Sequence, residues 1–590
     1  MLRRLSTVAS IAIIVVFVAV VVAVWIILRG VAAASHLADA RADIALLRDD
    51  LVNGQPTEAD LQRVEADARA AHAETHDPVW WAMSWLPPIH TVRGLTSATN
   101  ELAENALPSV VSVGLTVEPS KLRVAPNKIA LPPLQRAAPA LSKAATALET
   151  ARDDVAGLSS GWGVFGDIRD KALEQLTSLH GSIDDAARFA RAGPAMLGAD
   201  GERRFFVGIQ NNAESRATGG LVSGWAIVTA NHGRIRVTAH GNDGELQNFI
   251  PTRRKAVTSL PADYQDVYGN FLPANHWITS NLSPNFPDAA RIWAKMWQAQ
   301  TGQRIDGVFG VDPFALQAML GAAGPVTVPG YAGVYDGTNL ADYIESKEYV
   351  DFAGADPLTN DRRKNFIAEV STAVIHKLLS GSGDPVAITK ALGASAGAGH
   401  LALWAANSSE QAELSGTPLA GELPETAAPF AAVHVDNATA SKLDYYLDRS
   451  FAYQAGQCAG DYRDSTITVR LTNQAPRHGL PPYVRTRGDR DFQGNGTVER
   501  VPQNRLFVYI HTTNGAALRR ATLGGKTVQV TEGVEHGHPV FGLEVTLDPG
   551  QPETIRLRLI EPTTATGPAQ TMVQPMARLQ QTHVDVPICR

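Results

Sequence analysis

Arg204-Phe205-Phe206-Val207-Gly208-Ile209 opens the stretch that decides the fold. It is an apolar run, followed by Gln210-Asn211-Asn212-Ala213-Glu214-Ser215-Arg216-Ala217-Thr218-Gly219-Gly220, which is dense in donors, acceptors and charge. A second apolar run, Leu221 to Thr229, comes next. The pattern reads as two strands joined by a polar connector. Asn231-His232-Gly233 then turns the chain into a third strand, Arg234-Ile235-Arg236-Val237-Thr238. Downstream, helical periodicity over 287–300, 313–321, 338–346 and 361–379 alternates with short strands at 305–311 and 325–328. Gly393 to Gly399 reads as a turn leading to an apolar strand, His400 to Ala405. This alternation predicts an α/β core, a mixed sheet flanked by helices, over 199–454.

Period-two strands follow this core at Ser465–Leu471, Arg505–His511, Lys526–Thr531, Phe541–Leu547 and Thr554–Leu559. They predict an immunoglobulin-like β-sandwich over 455–590. Ahead of the core, 31–198 is rich in Ala, Leu, Glu, Asp and Arg at helical spacing, as a helical stalk or bundle would be. Within it, Val79-Trp80-Trp81-Ala82-Met83-Ser84-Trp85-Leu86 carries three tryptophans. These suit a bilayer interface and a bundle core equally. Leu5 to Leu28 holds no charged residue. As a helix it would measure about 36 Å, enough to span a bilayer core of roughly 30 Å. Arg3 and Arg4 precede it, so residues 1–30 read as a cytoplasmic tip and transmembrane anchor with everything later outside the cell membrane. A cleaved signal peptide ending at Ala32-Ala33-Ala34 is the rival reading; the apolar run is long for one.

The 590 residues exceed what one core can serve, so several domains are expected. A hydrophobic share of 44 % with 19 % charged excludes a wholly disordered chain. The net charge of −7 argues against a general nucleic-acid binder, so no nucleic-acid partner is expected. Two cysteines, Cys458 and Cys589, exclude a four-cysteine zinc site. Outside the cytosol they are free to form a disulfide; two unrelated thiols is the plainer alternative.

Some motifs fail on context. Gly393-Ala394-Ser395-Ala396-Gly397 matches a nucleophile-elbow string, but a helix-like run precedes it and a strand-like run follows, the reverse of what the elbow needs. Gly525-Lys526-Thr527 lacks the earlier glycine of a phosphate loop, since Arg520 stands there.

Two basic triplets stand out, Arg253-Arg254-Lys255 and Arg362-Arg363-Lys364. Each is either a solvated face or an anion site, for which arginine's planar fork is suited. On one helix face at most one or two members of the second triplet point the same way. The polar connector offers Asn211, Asn212, Glu214 and Arg216 to a substrate, and Ser280-Asn281-Leu282-Ser283-Pro284 offers Asn281. Asp243, Asp288 and Asp306 are carboxylates able to take Mg²⁺; Asp288 equally serves an early helix turn.

The run Phe206 to Gly220, together with Ile305-Asp306-Gly307-Val308-Phe309-Gly310-Val311-Asp312-Pro313 and Ser441-Lys442-Leu443-Asp444-Tyr445-Tyr446-Leu447, resembles the bacterial family known as domain of unknown function 4012. Members of that family look like actinobacterial membrane-anchored surface proteins. A more distant similarity is to the LytR-CpsA-Psr family, which transfers glycopolymers from a polyprenyl-pyrophosphate carrier to the cell wall. It rests on the strand–connector–strand opening, on Gly324-Pro325-Val326-Thr327-Val328, and on Asn360-Asp361-Arg362-Arg363-Lys364-Asn365-Phe366-Ile367. That family's Pro-Arg-Asp signature is replaced here by Thr238-Ala239-His240-Gly241-Asn242-Asp243, and the arginines are adjacent rather than spaced. The resemblance implies phosphotransfer, with Arg216, Arg362 and Arg363 on the pyrophosphate and Asp243, Asp288 or Asp306 holding Mg²⁺. It implies a polyprenyl-phosphate lipid and cell-wall glycan as partners. A non-catalytic, glycan-binding or scaffolding surface protein is the alternative expectation.

Overall fold

The computed structural model describes residues 21–40, 42–43, 46, 58–116, 122–158, 163–247, 256–353, 357–488 and 501–589. The chain forms two compact units, residues 1–124 with 129–195, and residues 125–128 with 196–590.

The first unit is helical, as its composition predicts. Its helices are Val21–Ala40, Glu58–Thr75, Pro87–Glu101, Leu107–Thr116, Leu131–Ala156 and Val164–Met196. Alanines at helical spacing let the helices approach closely: Ala98, Ala147, Ala151 and Val155 are buried with Leu148 and Leu176 in one cluster. Val21–Ala40 is long and apolar enough to cross a membrane. The rest of the expected span, Leu5 to Val20, lies outside the described residues. The three tryptophans part company: Trp80 is buried at 2 % exposure, while Trp81 and Trp85 stand 70 % and 73 % exposed.

The second unit holds a mixed sheet and a pair of all-β sheets. The mixed sheet contains β1 (Arg123–Ala125), β2 (Lys128–Ile129), β3 (Arg203–Arg216), β4 (Gly219–Asn231), β5 (Arg234–Asn242), β6 (Gly307–Val311) and β7 (Leu401–Ala405). Its order is β1-β2-β5-β4-β3-β6-β7. The β3–β6 pair is parallel; β3–β4, β4–β5 and β6–β7 are antiparallel. Alternation explains the unbroken apolar runs: Phe206, Trp225, Ile227, Val308 and Ala402 face the helix Phe286–Thr301, with Trp293 and Trp297. Val207, Ile209, Ala226, Val311 and Leu401 face the helices Pro313–Ala323 and Pro357–Ser380 on the other side. Both faces are covered, as strands without polar alternation require.

The remaining strands are β8 (Phe430–Asn437), β9 (Leu447–Ala455), β10 (Tyr462–Asn473), β11 (Asn504–Thr512), β12 (Ala517–Leu523), β13 (Lys526–Thr527), β14 (Thr531–Glu535), β15 (His538–Leu547), β16 (Pro552–Pro562), β17 (Gln570–Val573) and β18 (Gln581–Asp585). They form one sheet ordered β13-β12-β16-β10-β9-β18 and another ordered β14-β15-β11-β8-β17. Residues from both sheets, among them Val433, Phe451, Ile467, Val508, Phe541 and Leu557, share one core.

Four sequence expectations change here. The β-sandwich starts at Phe430, not at 455, because β8 pairs with β11 and β9 with β10. Such partners lie beyond the reach of local pattern. The strand expected at 325–328 is reduced to a single bridge, Val326 to Tyr335. Gly393 to Gly397 is no turn: it completes the helix Pro385–Gly397, with Ser395 buried. The connector 210–220 is not a loop either; it continues β3 and β4 and is buried throughout.

Cys458 and Cys589 form a disulfide that ties the segment after β18 to the β9–β10 connection. Arg463 donates to the Pro587 carbonyl at 2.6 Å beside it. Closing a 131-residue separation stabilises by about 2–4 kcal/mol. The double variant Cys458→Ser/Cys589→Ser is therefore expected to unfold at lower denaturant than the parent. Addition of a reductant should move the parent to match it; a parent indifferent to reductant would contradict this.

Candidate functional site

β3 and β4 close in a two-residue turn, Ala217-Thr218, with Arg216 opposite Gly219 and Ser215 opposite Gly220. Between Asn211 and Ser215 the ladder slips, leaving Asn212, Ala213 and Glu214 as a bulge without partners on β4. Gly220 is what permits this approach, since a Cβ there would lie 2.0 Å from the Asn211 carbonyl oxygen. The bulge finds its hydrogen bonds elsewhere. Asn212 N–H donates to Glu345 Oε1 at 3.0 Å, and its amide donates to Asp312 at 3.0 Å and to the Pro575 carbonyl at 3.1 Å. His400 Nδ1 meets the same Asp312 oxygen at 2.5 Å; although burial opposes it, Asp312 holds that imidazole above its ordinary pKa.

The bulge aims Glu214 into a cavity of about 960 Å³. Its lining includes charged and polar side chains: Asn211, Glu214 and Arg216 from β3, Asp243 after β5, Arg363 and Lys364 from the helix Pro357–Ser380, and Asp436 and Lys442 from β8 and its following loop. It also includes Phe271, Ile278, Leu282, Ile367, Phe507 and Tyr509.

The charges are ordered. Glu214 pairs with Lys442 and, at 3.2 Å, with Arg216. Burial alone would raise the Glu214 carboxyl, but those two cations hold it below its usual range. Arg216 also donates to the carbonyls of Ile278 at 2.8 Å and Ser215 at 2.7 Å. Arg363 reaches Glu348 at 2.9 Å and lies 4.5 Å above the ring of Tyr483. Lys364 faces Asp243 at 3.1 Å. Burial drives the Asp436 carboxyl well above its ordinary value against the pull of Arg216, and its Oδ2 has no hydrogen-bond partner. Four cations, Arg216, Arg363, Lys364 and Lys442, thus share three carboxylate partners, Glu214, Glu348 and Asp243, with Glu214 taking both Arg216 and Lys442.

The site residues expected from sequence thus divide. Asn211, Glu214, Arg216, Asp243 and Arg363 line one cavity. Asn212 lies behind it, in the Asp312 network. Asn281 is buried and staples the hairpin, donating to Thr218 at 2.8 Å and to the Gly220 carbonyl at 2.9 Å. Arg362 turns away, its guanidinium on the Gly330 carbonyl and over Tyr331. One helical residue is a 100° rotation, so its neighbour Arg363 faces the cavity instead. Arg253 and Arg254 lie outside the described residues.

The three carboxylates named as alternatives for Mg²⁺ have different surroundings. Asp288 serves the start of its helix, held by Asn285 at 2.7 Å, Arg291 at 3.2 Å and His536 at 3.4 Å. Asp306 clamps the start of β3 by accepting from Arg204 N–H at 2.9 Å. Arg204 is seven residues along β3 from Asn211, about 23 Å at strand rise. Only Asp243 borders the cavity.

Sequence reasoning missed Lys442 and Asp436. Lys442 sits in the Ser441–Leu447 string, where a lysine two residues before a buried aspartate was the available signal.

Residues 200–349 match the family model described as "Protein of unknown function (DUF4012)". This segment belongs to the DUF4012 family. The matched region supplies Glu214, Arg216 and Asp243 to the cavity, while Arg363, Asp436 and Lys442 come from beyond it. No curated protein and no solved structure matches the chain.

Proposed function

We propose that this is a membrane-anchored, extracytoplasmic cell-envelope protein whose cavity holds the phosphate-bearing head of a polyprenyl-linked glycan precursor. The carrying observation is that one cavity is lined both by the cations Arg216, Arg363, Lys364 and Lys442 and by the apolar side chains Phe271, Ile278, Leu282, Ile367 and Phe507. An isoprenoid phosphate is an anion joined to a hydrocarbon, and this lining offers both halves a surface. Val21–Ala40, long and apolar enough to span a bilayer, supports anchoring beside such a lipid. If pyrophosphate is the head group, its own Mg²⁺ would meet Asp243 at the rim. Of the arginines named from the LytR-CpsA-Psr resemblance, Arg216 and Arg363 would lie on the anion and Arg362 would not. Phosphotransfer in the manner of that family is the catalytic form of the proposal. The non-catalytic form, a glycan-binding or scaffolding role with an immunoglobulin-like module, draws on one observation: each cavity cation already has a carboxylate partner.

Native mass spectrometry of the detergent-solubilised chain with a polyprenyl phosphate tests the reading. A one-to-one lipid adduct is expected on the parent and its loss on Arg363→Gln. Equal adducts on both, or none on the parent, would count against it. Adding an acceptor glycan and Mg²⁺ separates the two forms, since only the catalytic one turns the lipid over.

The pH dependence follows from Glu348. Burial, outweighing Arg363 and the more distant Lys442, pushes its carboxyl up to about 7. A carboxyl raised in the folded state adds stability at low pH that is lost as pH rises from about 4.3 through about 7. For the ligand the consequence is opposite in use: as pH falls through 7, Glu348 neutralises and releases Arg363. Affinity for the lipid anion is expected to rise between pH 8 and 6.5, and Glu348→Gln to bind tightly and without that slope. Parallel slopes in parent and variant would remove Glu348 from the account.

A further inference from the structure

We infer that the turn carrying Trp81 and Trp85 inserts into the outer headgroup region of the bilayer, setting the depth and tilt of the helical unit. The inference rests on the anchored reading above, but it comes from a separate set of contacts, all inside the first unit.

Trp25 Nε1 donates to Asp77 Oδ2 at 2.7 Å, Arg29 pairs with Glu74 at 2.6 Å, and His36 Nδ1 lies 3.4 Å from Asp67. Numbers rise on one helix as they fall on the other, so Val21–Ala40 and Glu58–Thr75 run antiparallel. A chain leaving the bilayer along the first helix therefore returns toward it along the second. Trp25 lies three residues inside the uncharged stretch that ends at Leu28, about 4.5 Å along a helix. Asp77 is level with it and caps a short helix, Pro78–Ala82, after which Pro87 starts the next long helix. Pro78 to Leu86 thus follows the end of the second helix, where the chain has come back to the level of Trp25 to Gly30 at the edge of the uncharged stretch.

Its composition fits that position. From Pro78 to Ile89 there is no charged residue, in a unit otherwise rich in Asp, Glu and Arg. Trp80 turns inward, its ring 3.6 Å from where a Cβ on Gly30 would sit. Trp81 and Trp85 point outward with most of their surface bare. A fully exposed tryptophan is costly in water and favourable at the headgroup level, where its ring and N–H are both served. Asp77 fixes the orientation: its Oδ1 accepts from Val79 N–H at 2.8 Å and Trp80 N–H at 2.9 Å, while Oδ2 takes the indole of Trp25. One carboxylate thereby couples the turn to the apolar helix.

The test uses the full chain reconstituted into phosphatidylcholine–phosphatidylglycerol vesicles, with a nitroxide on Trp81→Cys, Trp85→Cys or, as a control, the exposed Leu179→Cys. Collisions with oxygen and with a water-soluble nickel complex are compared. At 81 and 85, oxygen access should be high and nickel access largely lost; at 179 nickel should reach the label freely. Nickel access at 81 and 85 equal to that at 179 overturns the inference and leaves anchoring intact. Loss of access to both reagents overturns it in favour of protein contact, such as a second copy. Failure of the unlabelled chain to resist alkaline extraction from the vesicles overturns the anchored reading and this inference together.

Discussion

Replacing Glu214 by glutamine is expected to destabilise the second unit by about 3–5 kcal/mol, the cost of breaking a buried ion pair from one side. Glu214, Arg216 and Lys442 are all nearly inaccessible to water. The substitution leaves two buried cations facing a neutral amide, and neither has a second carboxylate within ion-pair distance among the described residues. Lys442 can relieve part of the strain by losing its proton. At present, although burial opposes it, Glu214 holds the ammonium above its ordinary pKa. Lys442→Met should behave differently: Glu214 keeps Arg216, no charge is orphaned, and the loss should be well under half as large. It also removes one of the two cations that share Glu214, so it should abolish the lipid adduct while the fold survives. Denaturant melts of both variants decide the matter. A Lys442→Met loss as large as that of Glu214→Gln would refute the shared pairing of Arg216 and Lys442 on Glu214.

What the sequence disclosed and what it hid follow from the range of the interactions. Strand periodicity and helix caps are local, so β3, β4, β6 and the helix from Phe286 were legible. The connector 210–220 was misread as a loop because its polar side chains looked like solvent-facing groups. Their partners include Tyr349, Lys442 and Asp444, more than a hundred residues away. The same distance hid the start of the sandwich. In the second basic triplet, helical geometry correctly limited how many arginines could share a face, but which one faced the cavity depended on the position of Gly330 and Tyr331. Asp288 and Asp306 suit a metal by type, and the partners the structure gives them, among them His536 and the Arg204 N–H, are remote in sequence.

The longest-range of those partners gives the other large effect. Asp444 is fully buried and accepts from Ser215 N–H and hydroxyl at 2.8 Å each, from Asn437 at 2.8 Å and from Asn504 at 2.7 Å. It joins the tip of the β3–β4 hairpin to the strands β8 and β11 of the sandwich. Asp444→Ala would leave donors on three residues without an acceptor, each worth about 1–3 kcal/mol when buried. With water entering the vacated space, the net loss is expected at about 3–5 kcal/mol. The damage should be local, because Phe205 to Ile209 keep their ladders to β4 and β6. Hydrogen exchange should therefore accelerate at Ala213 to Ala217 and remain slow at Phe205 to Ile209. Since Glu214 and Arg216 lie within that tip, the lipid adduct should be lost with it. Uniformly faster exchange along β3 would mean that Asp444 supports the whole sheet, and unchanged exchange would mean that the hairpin tip is held by Asp436 and Glu345 alone.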